Sequence, residues 1–186
     1  MRAHFASLGL SAVIGVASAC GGSDAASSPA RAKTQPGHTE VAILAGGCFW
    51  CTEGAFDGLA GKTIAVLGLA FKGDTDDMRD SPAIPVIEGL VQRGAKVRAF
   101  DPAAMAAAKP LLPPIEYCAD AYATAEGAHG VVIATEWNQF RALDFAALKS
   151  RLATPLMVDL RNLYQPERVA AEGFRYFSLG RDEAGV

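Results

Sequence analysis

From residue 61 onward, short apolar runs take turns with stretches whose apolar positions recur every three or four residues. Lys62-Thr63-Ile64-Ala65-Val66-Leu67-Gly68-Leu69 is almost continuously apolar, as a strand covered on both faces requires. Ser81-Pro82 then offers an N-cap and a proline for the first helical position. Ile84, Ile87, Leu90 and Val91 follow at helical spacing, and Gly94 stops the run. The same reading predicts strands over 96–100, 115–118, 130–135, 156–160 and 174–179, with helices over 103–108, 121–128, 145–152 and 167–172 between them. Strand and helix alternating without a break specify a parallel sheet with helices on both faces. The expected fold class is therefore α/β, a small doubly wound parallel sheet over residues 61–180 with a tail at 181–186.

The N-terminal third reads differently. Residues 3–19 carry no Asp, Glu, Lys or Arg and follow Arg2, and residues 8–19 are apolar or small throughout. A positive start, an apolar core and small residues before Cys20 describe a secretory leader over 1–20. The run is too short for a membrane span, which takes about 18–20 apolar residues. Ala17-Ser18-Ala19-Cys20 resembles a bacterial lipoprotein cleavage site, which would lipidate Cys20 and anchor an exported chain to a membrane. Residues 21–38, rich in Gly, Ser, Ala and Pro, read as a flexible, disordered tether.

Composition adds bounds. The chain has 186 residues, 51% hydrophobic and 20% charged, with 17 Lys and Arg against 20 Asp and Glu for a net charge of −3. That is globular composition for one domain of about 100–150 residues plus an appendage. Neither the whole chain nor any local cluster has the basic footprint of a nucleic-acid binder.

Candidate chemistry falls in two places. The first is Gly46-Gly47-Cys48-Phe49-Trp50-Cys51-Thr52-Glu53. There a thiol at a strand-to-helix turn can be activated by helix amides, and a second thiol can trap its oxidised form. A structural zinc would want four ligands, and no second Cys or His pair accompanies these. The second is the carboxyl edge of the sheet, where ligands bind in such folds. Lys72 follows the first strand, Arg79 precedes the Ser81 helix start, and Arg161 follows the strand over 156–160. They suit a phosphate or diphosphate. Asp74, Asp76, Asp77 and Asp80 share that loop and could equally pair with Lys72 and Arg79. Gly68-Leu69-Ala70-Phe71-Lys72-Gly73 does not read G-x-G-x-x-G, so the usual dinucleotide fingerprint is missing. Asp101 either caps the turn into Pro102 or holds a ribose. Cys118 reads as a small core or surface residue, His129 as a loop residue, and Trp137 as packing on the domain surface or a partner.

Two families are resembled. Ala45-Gly46-Gly47-Cys48-Phe49-Trp50-Cys51-Thr52-Glu53 resembles the active-site opening of peptide-methionine (S)-S-oxide reductase, type A. The resemblance covers residues 39–61 (as a segment, 39–60) and implies Cys48 as the nucleophile, with Phe49 and Trp50 lining a methyl pocket. The acid and the tyrosines of that family do not follow. Residues 61–180 resemble the C-terminal, Rossmann-like UDP-binding domain of UDP-glucose 6-dehydrogenase and its GDP-mannose relatives. The matching strings are Gly68-Leu69-Ala70-Phe71-Lys72-Gly73-Asp74-Thr75-Asp76-Asp77-Met78-Arg79-Asp80-Ser81-Pro82, Gly94-Ala95-Lys96-Val97, Asp101-Pro102, Ala134-Thr135-Glu136-Trp137 and Val158-Asp159-Leu160-Arg161-Asn162.

This second resemblance implies an NAD-dependent oxidoreductase. Two successive hydride transfers to NAD turn the C6 hydroxyl of a UDP-sugar into a carboxylate. Phe71 and Lys72 would contact the nucleotide sugar, Arg79 would reach the NAD, and Arg161 would meet the sugar nucleotide, often across a subunit boundary of a homo-oligomer. The family's NAD-binding domain and catalytic cysteine have no counterpart string here, so inactivity of the chain alone is expected. The family is also cytoplasmic, which clashes with an export leader. A chimera of two family fragments joined near Phe56-Asp57-Gly58-Leu59-Ala60-Gly61 accounts for both halves. A silent nucleotide-sugar-binding or oligomerisation module stands beside the dehydrogenase reading.

Overall fold

The computed structural model describes residues 55–56 and 58–185. Leader, tether, Cys20 and Cys48 lie outside them. The described chain runs β1 (Thr63–Leu67), α1 (Ala83–Gln92), β2 (Lys96–Phe100), α2 (Met105–Ala108), β3 (Glu116–Tyr117), α3 (Ala121–Ala125) and β4 (Val131–Ile133). It continues through α4 (Asn138–Arg141), α5 (Phe145–Arg151), β5 (Leu156–Asp159), α6 (Pro166–Ala171) and β6 (Arg175–Ser178). The six strands form one sheet in the order β3-β2-β1-β4-β5-β6, every neighbouring pair parallel. This is the expected doubly wound α/β architecture.

Alternate strand residues enter opposite cores, because successive side chains leave a strand on opposite faces. Ile64, Val66, Val97, Ala99, Val132, Ala134, Leu156 and Val158 pack on one face against Val86, Ile87 and Leu90 of α1. Ala65, Leu67, Val131, Ile133, Met157 and Tyr176 pack on the other against Phe140, Phe145, Leu148 and Val169. Phe56 and Leu59, ahead of β1, join the first core. Each fully buried Leu, Ile or Val contributes about 1.5–3 kcal/mol.

Local signals set the element ends. Pro82 stands at the N-cap of α1, one place later than the sequence reading put it, and the Ser81 hydroxyl before it accepts from the Ala83 N–H at 3.2 Å. At the other end Gly94 sits at φ 83, its N–H bonds Val91 O at 2.9 Å, and Ala95 N–H bonds Leu90 O at 3.1 Å. That left-handed turn satisfies two orphan carbonyls and needs glycine. Asp120 and Asp144 cap α3 and α5 through the N–H groups of Ala123 and Ala147. The sequence reading missed α4, whose four residues are too few to show a period. No helix among the described residues is long and apolar enough to cross a membrane.

Candidate functional site

The sheet changes winding direction between β1 and β4, and the loops leaving their carboxyl ends meet there. Gly68 closes β1 at φ 93, and a Cβ on it would lie 2.5 Å from that of Thr135. Only glycine lets the two loops approach so closely. The Thr135 hydroxyl donates to Ala70 O at 2.6 Å, and the Ser81 hydroxyl donates to Leu69 O at 2.5 Å. Beyond this anchor Phe71 N–H bonds Asp77 O at 2.8 Å, folding residues 71–77 into a compact loop. Asp74 and Asp80 take left-handed φ values of 59 and 56, which Asp tolerates better than most residues.

Asp101 organises this edge. Its carboxylate is fully buried. Oδ2 accepts from the N–H groups of Leu69 (2.7 Å) and Ala70 (3.1 Å) and from Trp137 Nε1 (3.1 Å). Oδ1 accepts from Ala103 (2.9 Å) and Ala104 (2.7 Å), capping the turn past Pro102 as expected. Five donors fill its acceptor positions, so a ribose finds none vacant, and the ribose alternative is corrected. The placement of Trp137 is corrected too. It is 8% exposed, in the core, with its indole N–H spent on Asp101. A buried indole N–H needs an acceptor, and the carboxylate supplies one.

The loop after β5 is built the same way around a second buried carboxylate. Asp159 accepts from the N–H groups of Arg161 (2.9 Å), Leu163 (2.7 Å) and Tyr164 (3.2 Å) and from the Tyr176 hydroxyl (2.7 Å). Burial, and then the Asp159 charge, push the Tyr176 and Tyr164 hydroxyls well above the ordinary tyrosine range. Arg161 leaves this loop to pair with Glu136 through Nε, both side chains 30% exposed. Burial raises the Glu136 carboxyl, but the Arg161 hydrogen bond and charge outweigh it and hold it below the usual range.

Phe71, Lys72 and Arg161 belong to adjoining loops. Gly73 is seated on the β4 loop, since a Cβ there would lie 2.9 Å from Glu136 O, and Glu136 carries the pair to Arg161. Phe71 is exposed at 46%, unusual for a large apolar side chain, and Lys72 makes no ion pair among the described residues. Arg79 is separately engaged. It forks onto Asp77, with Nη2 to Oδ2 at 2.7 Å, and its side chain is 88% exposed. Glu136 and Asp159 had no assigned role at the sequence level. Asp159 carries a signal that could have found it, an acid closing a buried strand as Asp101 does. Glu136 carries none. Cys118 is buried beside Glu116, and His129 lies between α3 and β4 with Nδ1 accepting from Thr63 N–H at 3.2 Å.

Among the described residues, the β1 turn leaves no open cradle for a dinucleotide. The β1 turn, where one would lie, is filled by Thr135 and by the Asp101 bonds to Leu69 and Ala70.

A model of the UDP-glucose/GDP-mannose dehydrogenase family, UDP binding domain, matches residues 65–166. The UDP-glucose 6-dehydrogenase of Rhizobium meliloti (strain 1021) is 53% identical over 125 residues, which are 67% of this chain and 29% of that protein. The UDP-glucose 6-dehydrogenase of Pseudomonas aeruginosa is 45% identical over 131 residues, 67% of this chain and 29% of its own. Among solved structures, a UDP-glucose dehydrogenase from the hyperthermophilic archaeon Pyrobaculum islandicum matches with a TM-score of 0.57 and 36% identity, over 67% of this chain and 27% of that one. The chain thus spans 29% of the length of these curated relatives. Neither they nor the family model lend support to the sulfoxide reductase resemblance of residues 39–61. The family model and the matched relatives show that the chain belongs to the UDP-glucose/GDP-mannose dehydrogenase family, through that family's UDP binding domain.

Proposed function

We propose that residues 61–180 hold the nucleotide-sugar substrate of an oxidation of the UDP-glucose 6-dehydrogenase type. UDP-glucose, or its product UDP-glucuronate, lies against the loops leaving β1, β4 and β5. Lys72 and the outer nitrogens of Arg161 meet the diphosphate, and the exposed ring of Phe71 covers the sugar or the base. The observation that carries this reading is the seating of Gly73 on Glu136, which sets the Phe71–Lys72 loop beside the Glu136–Arg161 pair. Two charge-assisted contacts of about 1.5–3 kcal/mol each, before ordering costs, suggest a millimolar to high-micromolar Kd. The aspartates of the loop weaken this further.

In such an oxidation NAD accepts the hydrides. The described residues fit no resident NAD site, so the part left to them is to bind and orient the substrate. In this reading Arg79, exposed at the rim, contacts a cofactor bound by a separate domain or subunit. The nucleotide sugar and NAD are cytoplasmic metabolites, and the reading puts the domain's work there. Lipid anchoring at Cys20 and thiol chemistry at Cys48 concern residues outside those described and gain no support from the matched relatives.

The test is titration of UDP-glucuronate into the full chain, followed by amide NMR. Shifts confined to residues 69–81 and 160–163, and lost in Lys72→Ala, are expected. A folded protein showing no shifts at about 10 mM ligand, far above any useful Kd, would leave only a structural module.

A further inference from the structure

Arg161 is gripped on one side only. Its Nε donates to Glu136 Oε2, and its backbone N–H is fixed to Asp159 Oδ1 at 2.9 Å. Its Nη1 and Nη2 make no hydrogen bond among the described residues. An arginine held at Nε presents its two outer nitrogens as a fork, the geometry that matches phosphate oxygens. The backbone under Glu136 is itself immobilised. Gly73 packs on Glu136 O, and the next residue, Trp137, is tied to Asp101 through its indole at 3.1 Å. Glu136 is also partly buried, at 30% exposure. A ligand that displaced it from Arg161 would strand a carboxylate without its partner, which is costly. Arg141 of α4 also acts electrostatically on Glu136, favouring its charged form.

Resting on the reading that Lys72 and Arg161 meet the diphosphate, we propose that Glu136 is a positioning residue. It fixes Arg161 through Nε, so that Nη1 and Nη2 stand ready for the diphosphate oxygens. Ligand binds without breaking the Glu136–Arg161 pair, and the ordering of the arginine side chain is complete before the ligand arrives.

The experiment compares UDP-glucuronate binding by the full chain with binding by Glu136→Gln and Glu136→Ala. Glutamine keeps an acceptor for Nε and should bind within about threefold of the parent, whereas alanine should bind about tenfold more weakly. In the unliganded protein the Arg161 Nε–H resonance should be slow to exchange in the parent and the glutamine variant and lost in the alanine variant. A role confined to stability would shift melting temperature without producing this pattern. Should Glu136→Ala not fold, Arg161→Lys keeps the charge but has neither Nε nor a fork, and about a tenfold loss is again expected. Binding by the alanine or lysine variant as tight as the parent's, or tighter, would overturn the positioning role and make Glu136 a competing counter-ion. A parent that binds no UDP-glucuronate would instead overturn the functional reading, and this proposal with it.

Discussion

Asp77 and Arg79 show how much of the loop chemistry is local. Two residues apart, they form a two-pronged pair, Nε to Oδ1 at 3.0 Å and Nη2 to Oδ2 at 2.7 Å, with the Arg79 N–H also on Oδ1 at 3.0 Å. The side-chain hydrogen bond first, then the backbone one, hold the Asp77 carboxyl down at about 2 against an ordinary 3.8. A carboxyl depressed by folding supports the folded loop above its unfolded value and loses that support as pH falls through the folded one. The pair should therefore be intact above pH 3.8 and open as pH falls toward 2. With Arg79 88% exposed and Asp77 half-buried at the surface, the pair steadies the loop rather than the domain. A carboxyl NMR titration should give Asp77 a midpoint near 2, moving up toward 3.8 in Arg79→Ala. A parent midpoint already at the ordinary value would mean that the fork does not form in solution. Of the two sequence-level readings of this loop, ion pairing describes Arg79, while Lys72 stays outside any ion pair among the described residues.

Asp101, at the end of β2, joins three elements. It holds the turn leaving β1 through Leu69 and Ala70, the start of α2 through Ala103 and Ala104, and the loop before α4 through Trp137. Truncation strands five donors in a site closed to water, and each buried donor left unpaired costs about 1–3 kcal/mol. Relaxation recovers part of this. Asp101→Ala should therefore lose about 4 kcal/mol or more, read as a lower urea midpoint. Asp101→Asn, which keeps one carbonyl acceptor, should lose less. A loss under about 1 kcal/mol for alanine would show that water reaches these donors and that the carboxylate is not what binds the loops together.

Across the molecule, the parallel sheet has two edges to manage. The β3 edge is only two residues long. The β6 edge is covered by the chain itself. Beyond Gly180 it turns back, and Ala184 pairs antiparallel with Tyr176 by bonds of 2.8 and 3.0 Å, while Arg175 meets Glu183 at 3.0 Å. An uncovered strand edge is a template for pairing with another chain. Truncation after Gly180 should lower stability by about 1–4 kcal/mol, the net worth of two hydrogen bonds and an exposed ion pair. It should also raise self-association, seen by light scattering during size-exclusion chromatography. A truncated chain as stable and as monodisperse as the parent would show that the tail protects nothing.

Element identity was legible because its causes are local. The run from Ile64 to Leu67 is apolar whatever lies beside it, since a parallel strand is covered on both faces. Ser81 and Gly94 mark the ends of α1 through hydrogen bonds spanning a few residues. Lys72 and Arg161 stood out because each follows a strand, and carboxyl ends of strands are where such sheets bind. What pairs with what was not legible, because it depends on strand order. Placing β1 between β2 and β4 brings Asp101 to Trp137 across 36 residues. Placing β4 beside β5 brings Glu136 to Arg161 across 25. Nothing near Trp137 in the chain foretells its acceptor, and nothing near Glu136 foretells its arginine. Composition and period made the sheet and listing of its cations readable from local physics, whereas the buried carboxylates that aim those cations depend on contacts between segments that meet only once the sheet has closed.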